Sequence, residues 1–297
     1  MNVTTKFDSL VVGADSLIGG HVVDALAAAG ASYQATSRRA DADALRFDLA
    51  NPSFGAFDNK QFGFAVVCAA VSNMRTCEAD PQSTRGINVE GTLRLLRRLA
   101  QSDTPAVFLS SSQVFDGEVM RPDEAAICSP KNAYGRQKRE VEEAIADEQL
   151  PVAVLRVPKV LARWPVAMFA TWYDRLAQGD PIVAANNMPL APVSAEDVAA
   201  AAIRLGSQRR TGIWHLSSSD EVPYHQAALW LAEVCGMSPA LVDQETVTEE
   251  KVPGIYRHRY AALASDKIAS GLGMPIRTSE TVLRDLFGDF PKHRNAA

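Results

Sequence analysis

Short apolar runs alternate with helix-length amphipathic stretches through the first half of the chain. This is the pattern of a parallel sheet covered by helices on both faces. SLVVGA (9–14) reads as a buried strand, and SLIGGHVVDALAAAG (16–30) as a helix ending at Gly30, a residue suited to a C-cap. Further strands are predicted at 32–39, 64–70, 106–112 and 152–161, with helices over 89–102 and from NAYGRQK (132–138) onward. Beyond about residue 161 the alternation weakens. A helix follows Pro165, and another is capped by Ser194 with Asp197 three residues on, a variant capping box. A strand at TGIWHLSS and two helical segments close the chain. The expected class is α/β, a doubly wound parallel sheet with a smaller C-terminal lobe.

Composition narrows the function classes. Hydrophobic residues make up 47% and charged residues 22%, the values of an ordinary globular protein. A net charge of −5 argues against a nucleic-acid surface. The basic cluster Arg94, Arg97 and Arg98 alternates with leucines at helical spacing and reads as a solvated helix face. Cys68, Cys77, Cys128 and Cys235 show no CxxC spacing and read as reduced thiols. The start of the chain has no signal-like segment, and FAVVCAAV is far too short to span a membrane. A cytoplasmic protein with no membrane and no nucleic-acid partner is expected. The five histidines are scattered, so no metal site is expected.

Four stretches carry chemistry. GADSLIGG, between the first strand and helix, has the spacing Gly13-x-x-Ser16-x-x-Gly19. Glycines there let backbone amides approach a pyrophosphate at the helix N-terminus, with Leu17 and Ile18 in the first turn. Ser16 stands where such turns have their middle glycine; it costs close approach but offers phosphate a hydroxyl. Ser37, Arg38 and Arg39 follow the second strand, where NAD sites usually place a carboxylate; arginine there accommodates a 2′-phosphate, so NADP(H) is favoured. Asp41, the first acid, comes late. VFLSSSQVFDG puts Ser110, Ser111 and Ser112 at the C-terminal end of a strand, the edge where open α/β sheets bind ligands. In NAYGRQK, Tyr134 and Lys138 are i and i+4 on one helix face. An adjacent ammonium lowers a phenol's pKa, and a tyrosine so tuned passes protons to and from a carbonyl oxygen. Alone the pair is weak, since chance produces it in about one such chain in six.

Together these pieces resemble the extended short-chain dehydrogenase/reductase family, over residues 9 to about 287. Within it the wording is similar to the dTDP-4-dehydrorhamnose reductase branch, in CAAVSNMRTCEADPQSTRGINVEGT, SSSQVFDGE, SPKNAYGRQKREVEEAI and TGIWHLSSSDEVPYHQAALWLAE. The resemblance implies a Rossmann-like NADP-binding core over 1–160 and a substrate-binding lobe over 161–297, with segments at about 182–216 returning to the core. It implies Ser111, Tyr134 and Lys138 as the catalytic set, Tyr134 as acid/base and Lys138 on the nicotinamide ribose. Asp48 and Leu49 fall where the family contacts adenine, and Ala69 and Ala70 line the dinucleotide. Ser111 and Ser112 would meet the substrate.

The implied activity is NADPH-dependent reduction of a keto group on a nucleotide-linked deoxysugar, the small-molecule partner. Trp164, Trp172 and Tyr173 are candidates for stacking on its base. A homodimer is compatible with the resemblance. Two departures stand out. Ser16 replaces a glycine, and RVPKVLAR reads Lys159 where the reductases present an aromatic ring to the sugar. An ammonium there suits a more polar or acidic sugar. The chain is also similar to the methionine adenosyltransferase β subunit, which implies an NADP-binding regulatory role as the alternative; the complete Ser111/Tyr134/Lys138 set favours the enzyme.

Overall fold

The computed structural model describes residues 4–39, 44–162, 167–248 and 258–290. The first half runs β1 (Thr5–Val12), α1 (Leu17–Ala28), β2 (Tyr33–Ser37), β3 (Leu45–Arg46), β4 (Lys60–Val67), α2 (Met74–Ala79), α3 (Pro81–Arg85), α4 (Thr92–Gln101), β5 (Ala106–Ser111), α5 (Ala133–Asp147) and β6 (Val152–Val157). The second half runs β7 (Lys159–Leu161), α6 (Ala167–Ala177), β8 (Ile182–Ala185), β9 (Pro189–Leu190), β10 (Pro192–Ser194), α7 (Ala195–Ser207) and β11 (Gly212–His215). It closes with β12 (Val222–Pro223), α8 (Tyr224–Val234), β13 (Val242–Glu245), α9 (Asp266–Leu272) and α10 (Ser279–Phe287).

Seven strands form one sheet in the order β11-β6-β5-β4-β1-β2-β3, and every pairing in it is parallel. This is a Rossmann-like doubly wound sheet, and its apolar strands follow from burial on both faces. Val11, Val66, Val107 and Leu155 point to the side of α1, α7 and α9. Leu10, Val12, Phe108 and Val154 point to the side of α4 and α5. The order reverses between β1 and β4, which opens the crevice at their C-terminal ends.

Of residues 182–216, β8 pairs with β13 and packs in a separate apolar cluster with α6, α8 and α10. α7 and β11 instead build onto the central sheet. The Ser194 hydroxyl caps α7 by accepting from the Asp197 N–H at 3.0 Å. The predicted strand over 152–161 is two strands, β6 and β7, parted at Pro158; β7 leaves the sheet to pair with β10. Proline lacks the N–H that would continue the ladder. Among the described residues, three helices rather than two follow β11. No helix among the described residues is long and apolar enough to cross a membrane.

Candidate active site

The glycine turn fits a dinucleotide. Gly13 takes a left-handed φ of 84°, and a Cβ on it would sit 2.7 Å from the Ala69 nitrogen, where the turns after β1 and β4 meet. A Cβ on Gly19 would run into the Gly13 carbonyl. The first N–H groups of α1, at Leu17 and Ile18, have no intrahelical partner and suit an anion. Ser16 does something other than expected. Its hydroxyl donates to the Gly13 carbonyl at 2.7 Å and accepts from the Gly19 N–H at 3.1 Å, so its proton is spent inside the turn. Ser16 knits and caps the glycine turn.

At the far end of the same sheet edge, the buried Ser37 hydroxyl accepts from the Arg39 N–H at 3.0 Å. Arg38 and Arg39 project into solvent, and Arg39 lies 3.9 Å from Asp15 of the glycine turn. Asp48 accepts from the Ala50 N–H at 2.9 Å, and Leu49 is buried beside it. Asp41 and Trp164 lie outside the described residues.

NAYGRQK sits at the start of α5, and most of its residues are spoken for. Asn132 is the N-cap: Oδ1 accepts from the Gly135 N–H at 2.8 Å and Nδ2 donates to Gln113 Oε1 at 2.7 Å. A Cβ on Gly135 would collide with the Gln113 carbonyl, so glycine lets α5 lie against the turn after β5. Gln137 is buried and joined to Asn88, Thr84 and Pro81 by hydrogen bonds of 2.7, 2.9 and 3.1 Å. Asn88 sits in a wide π-type turn (Gly86–Gly91) and also clasps both backbone groups of Val71. Lys138, 3% exposed, donates to the Leu109 carbonyl at 2.7 Å, and its Nζ lies 5.6 Å from the centre of the Tyr134 ring.

The electrostatics correct one expectation. Burial raises the Tyr134 pKa above that of a free phenol, with a smaller contribution from Cys77. No lowering by Lys138 offsets this, and burial pulls the pKa of Lys138 itself down to about 8, which leaves the ammonium form dominant at neutral pH. Tyr134 therefore keeps its proton at neutral pH, the state of a proton donor.

A cavity of about 460 Å³ connects these parts. Ser16, Leu17, Ile18, Ala70, Ser111, Ser112, Tyr134 and Lys159 all line it. The Ser111 hydroxyl accepts from the Gln113 N–H at 3.2 Å, which leaves its proton to donate into the cavity. No carboxylate is among the described residues lining it. Sequence reasoning missed Gln113, Tyr224 and His258 on its wall. His258 arrives from the C-terminal part of the chain and rests on Gly117, where a Cβ would come within 2.5 Å of it. Nothing local in the sequence signals that contact. The stacking role expected of Trp172 and Tyr173 is not what their positions allow. Trp172 packs edge-on against Phe169 at 5.5 Å and Tyr173 against Phe290 at 6.1 Å, inside the lobe's apolar cluster.

The family model of the RmlD substrate binding domain matches residues 8–291. The chain belongs to this family. A probable dTDP-4,6-dihydroxy-2-methyloxan-3-one 4-ketoreductase of Streptomyces antibioticus is 27% identical to this RmlD-family chain, over 97% of it and 99% of the relative. The mouse methionine adenosyltransferase 2 subunit beta is 25% identical over 72% of the chain and 67% of that protein. Among solved structures, a dTDP-4-dehydrorhamnose reductase from Bacillus anthracis, in complex with NADP, superposes with a TM-score of 0.84. It is 16% identical, over 95% of this chain and 99% of its own, which is a likeness of fold.

Proposed function

We propose that this RmlD-family protein is an NADPH-dependent reductase of a keto group on a nucleotide-linked deoxysugar, working by short-chain dehydrogenase/reductase chemistry. The observation that carries it is the convergence of Ser111 and Tyr134 on a cavity that begins at the glycine turn and has no carboxylate among its described lining residues. When bound, NADPH supplies the hydride. The turn from Gly13 to Gly19 would hold the pyrophosphate, with Ala69 and Ala70 beside the dinucleotide and Arg38 and Arg39 at the 2′-phosphate. Lys138, fixed on the Leu109 carbonyl, would hold the nicotinamide ribose. The Ser111 hydroxyl donates to the substrate carbonyl oxygen, and Tyr134 passes it a proton as negative charge develops there.

The regulatory reading suggested by the mouse relative leaves this convergence without a role, which is why the enzyme is favoured. The test is loss of NADPH absorbance against a panel of 4-keto nucleotide-sugars. The wild type should turn over at least one, and Tyr134→Phe should lose about 10²–10⁴-fold in rate while binding NADPH nearly as before. A Tyr134→Phe protein that keeps most of the activity would refute the assignment.

A further inference from the structure

The catalytic face of α5 continues one turn beyond the residues already given roles. Tyr134, Lys138 and Glu142 are i, i+4 and i+8 on it. Glu142 is a carboxylate whose side chain is 1% exposed, a placement that needs a reason. Its partners supply one. Oε1 accepts from the Ser110 hydroxyl at 2.6 Å and from Arg156 Nε at 2.9 Å. Oε2 accepts from the second arm of Arg156 at 2.6 Å and lies 3.5 Å from Arg139. Ser110, Arg156 and His215 are register partners on three adjacent strands, β5, β6 and β11, so they form one row under Glu142. Arg156 also meets His215 Nε2 at 3.3 Å and Cys128 Sγ at 3.2 Å.

Lys138 grips the Leu109 carbonyl and Glu142 grips the next residue, Ser110. The last turn of β5 before Ser111 is thus fastened to α5 at two consecutive residues. We propose that Glu142 is a positioning residue of the catalytic apparatus: it is the buried counter-charge of Lys138, and through Ser110 it sets the spacing between Ser111 on β5 and Tyr134 on α5. The inference rests on the reductase reading for its purpose but not for its test.

The groups facing Lys138 are Tyr134 and Glu142 on its own helix, Phe108 and the Leu109 carbonyl on β5, Cys68 after β4 and Cys77 on α2. Of these, Glu142 is the one carboxylate, and burial raises the pKa of both thiols. Its charge works against the burial that drives the Lys138 proton off.

The experiment needs neither substrate nor cofactor. Protein carrying 13C-lysine is titrated by NMR, the Lys138 ε-methylene being assigned by its loss in Lys138→Arg. The wild type should titrate near 8. Glu142→Gln, which keeps the shape and an acceptor for Ser110, should lower the midpoint by about one pH unit or more. Glu142→Asp should retain most of the wild-type value. Should the lone Gln variant fail to fold around an unpaired Arg156, the double change Glu142→Gln/Arg156→Gln removes the buried pair as a unit and should still lower the midpoint. A midpoint unchanged in whichever Gln variant folds overturns the proposal, because Glu142 would then not be the counter-charge of Lys138. A catalytic failure of the parent protein leaves this titration unaffected, so the two ideas fall separately.

Discussion

NAYGRQK shows how closely chemistry and packing share one stretch. Tyr134 faces the cavity, Lys138 and Gln137 are buried, and Asn132 and Gly135 fasten the helix start to Gln113. Gly135→Ala should cost about 1–3 kcal/mol in denaturant unfolding, the scale of overpacking, and depress turnover by shifting α5. Gly86→Ala is the control, because a Cβ there meets nothing within 4 Å. Lys159 carries a second expectation at this scale. It lies exposed at the start of β7, on the wall shared with Tyr134 and Ser111. We expect wild-type kcat/KM on dTDP-4-keto-rhamnose to stay below about 10⁴ M⁻¹s⁻¹. Lys159→Trp should improve on that substrate and worsen on an acidic sugar; efficient wild-type turnover would end the idea.

Elements decide which residues meet. The end of β2 carries Ser37, whose hydroxyl folds Arg39 back toward Asp15 of the glycine turn, so two distant stretches make one corner. If Arg38 and Arg39 hold the 2′-phosphate there, changing both to Ala should weaken NADPH by about 1–3 kcal/mol, the scale of charge-assisted hydrogen bonds. NADH affinity should hardly move. Fluorescence titration with both cofactors checks this, and equal losses would remove the arginines from the site. The separation of β7 from β6 at Pro158 matters in the same way. It takes Lys159 off the sheet and onto the cavity wall, a change of direction that the apolar run over 152–161 conceals.

Over the whole molecule, buried titratable groups tie stability to pH. His215 is fully buried on β11, and burial together with Arg156 pushes its pKa down to about 3 from the usual 6.5. The unfolded chain binds this proton more readily than the folded one. The stabilisation is complete above 6.5 and disappears as pH falls toward 3. Melting temperature should therefore decline below about pH 6.5, before most carboxylates titrate, and His215→Gln should flatten that limb. Lys138 acts at the other end. With a folded pKa near 8 against 10.5 unfolded, its contribution is lost as pH falls through that window and full above it.

The sequence by itself determined the parallel sheet, the glycine turn and the helical Tyr-x-x-x-Lys, because each is local: burial on both faces, a tight βα turn and an i, i+4 spacing. The capping of α7 by Ser194 was legible for the same reason. Tertiary structure decided the rest. Whether Trp172 and Tyr173 met a ligand or the lobe's core depended on Phe169 and Phe290, the latter more than 100 residues away. Placing His258 on Gly117 took a chain crossing that no periodicity records. The charge state of the site turned on burial as well. A spacing rule sees a lysine beside a tyrosine, but only the packed fold shows both desolvated, so that Tyr134 holds its proton more tightly and Lys138 less. Local pattern specifies which groups are neighbours along an element; the dielectric they share is set by everything packed around them.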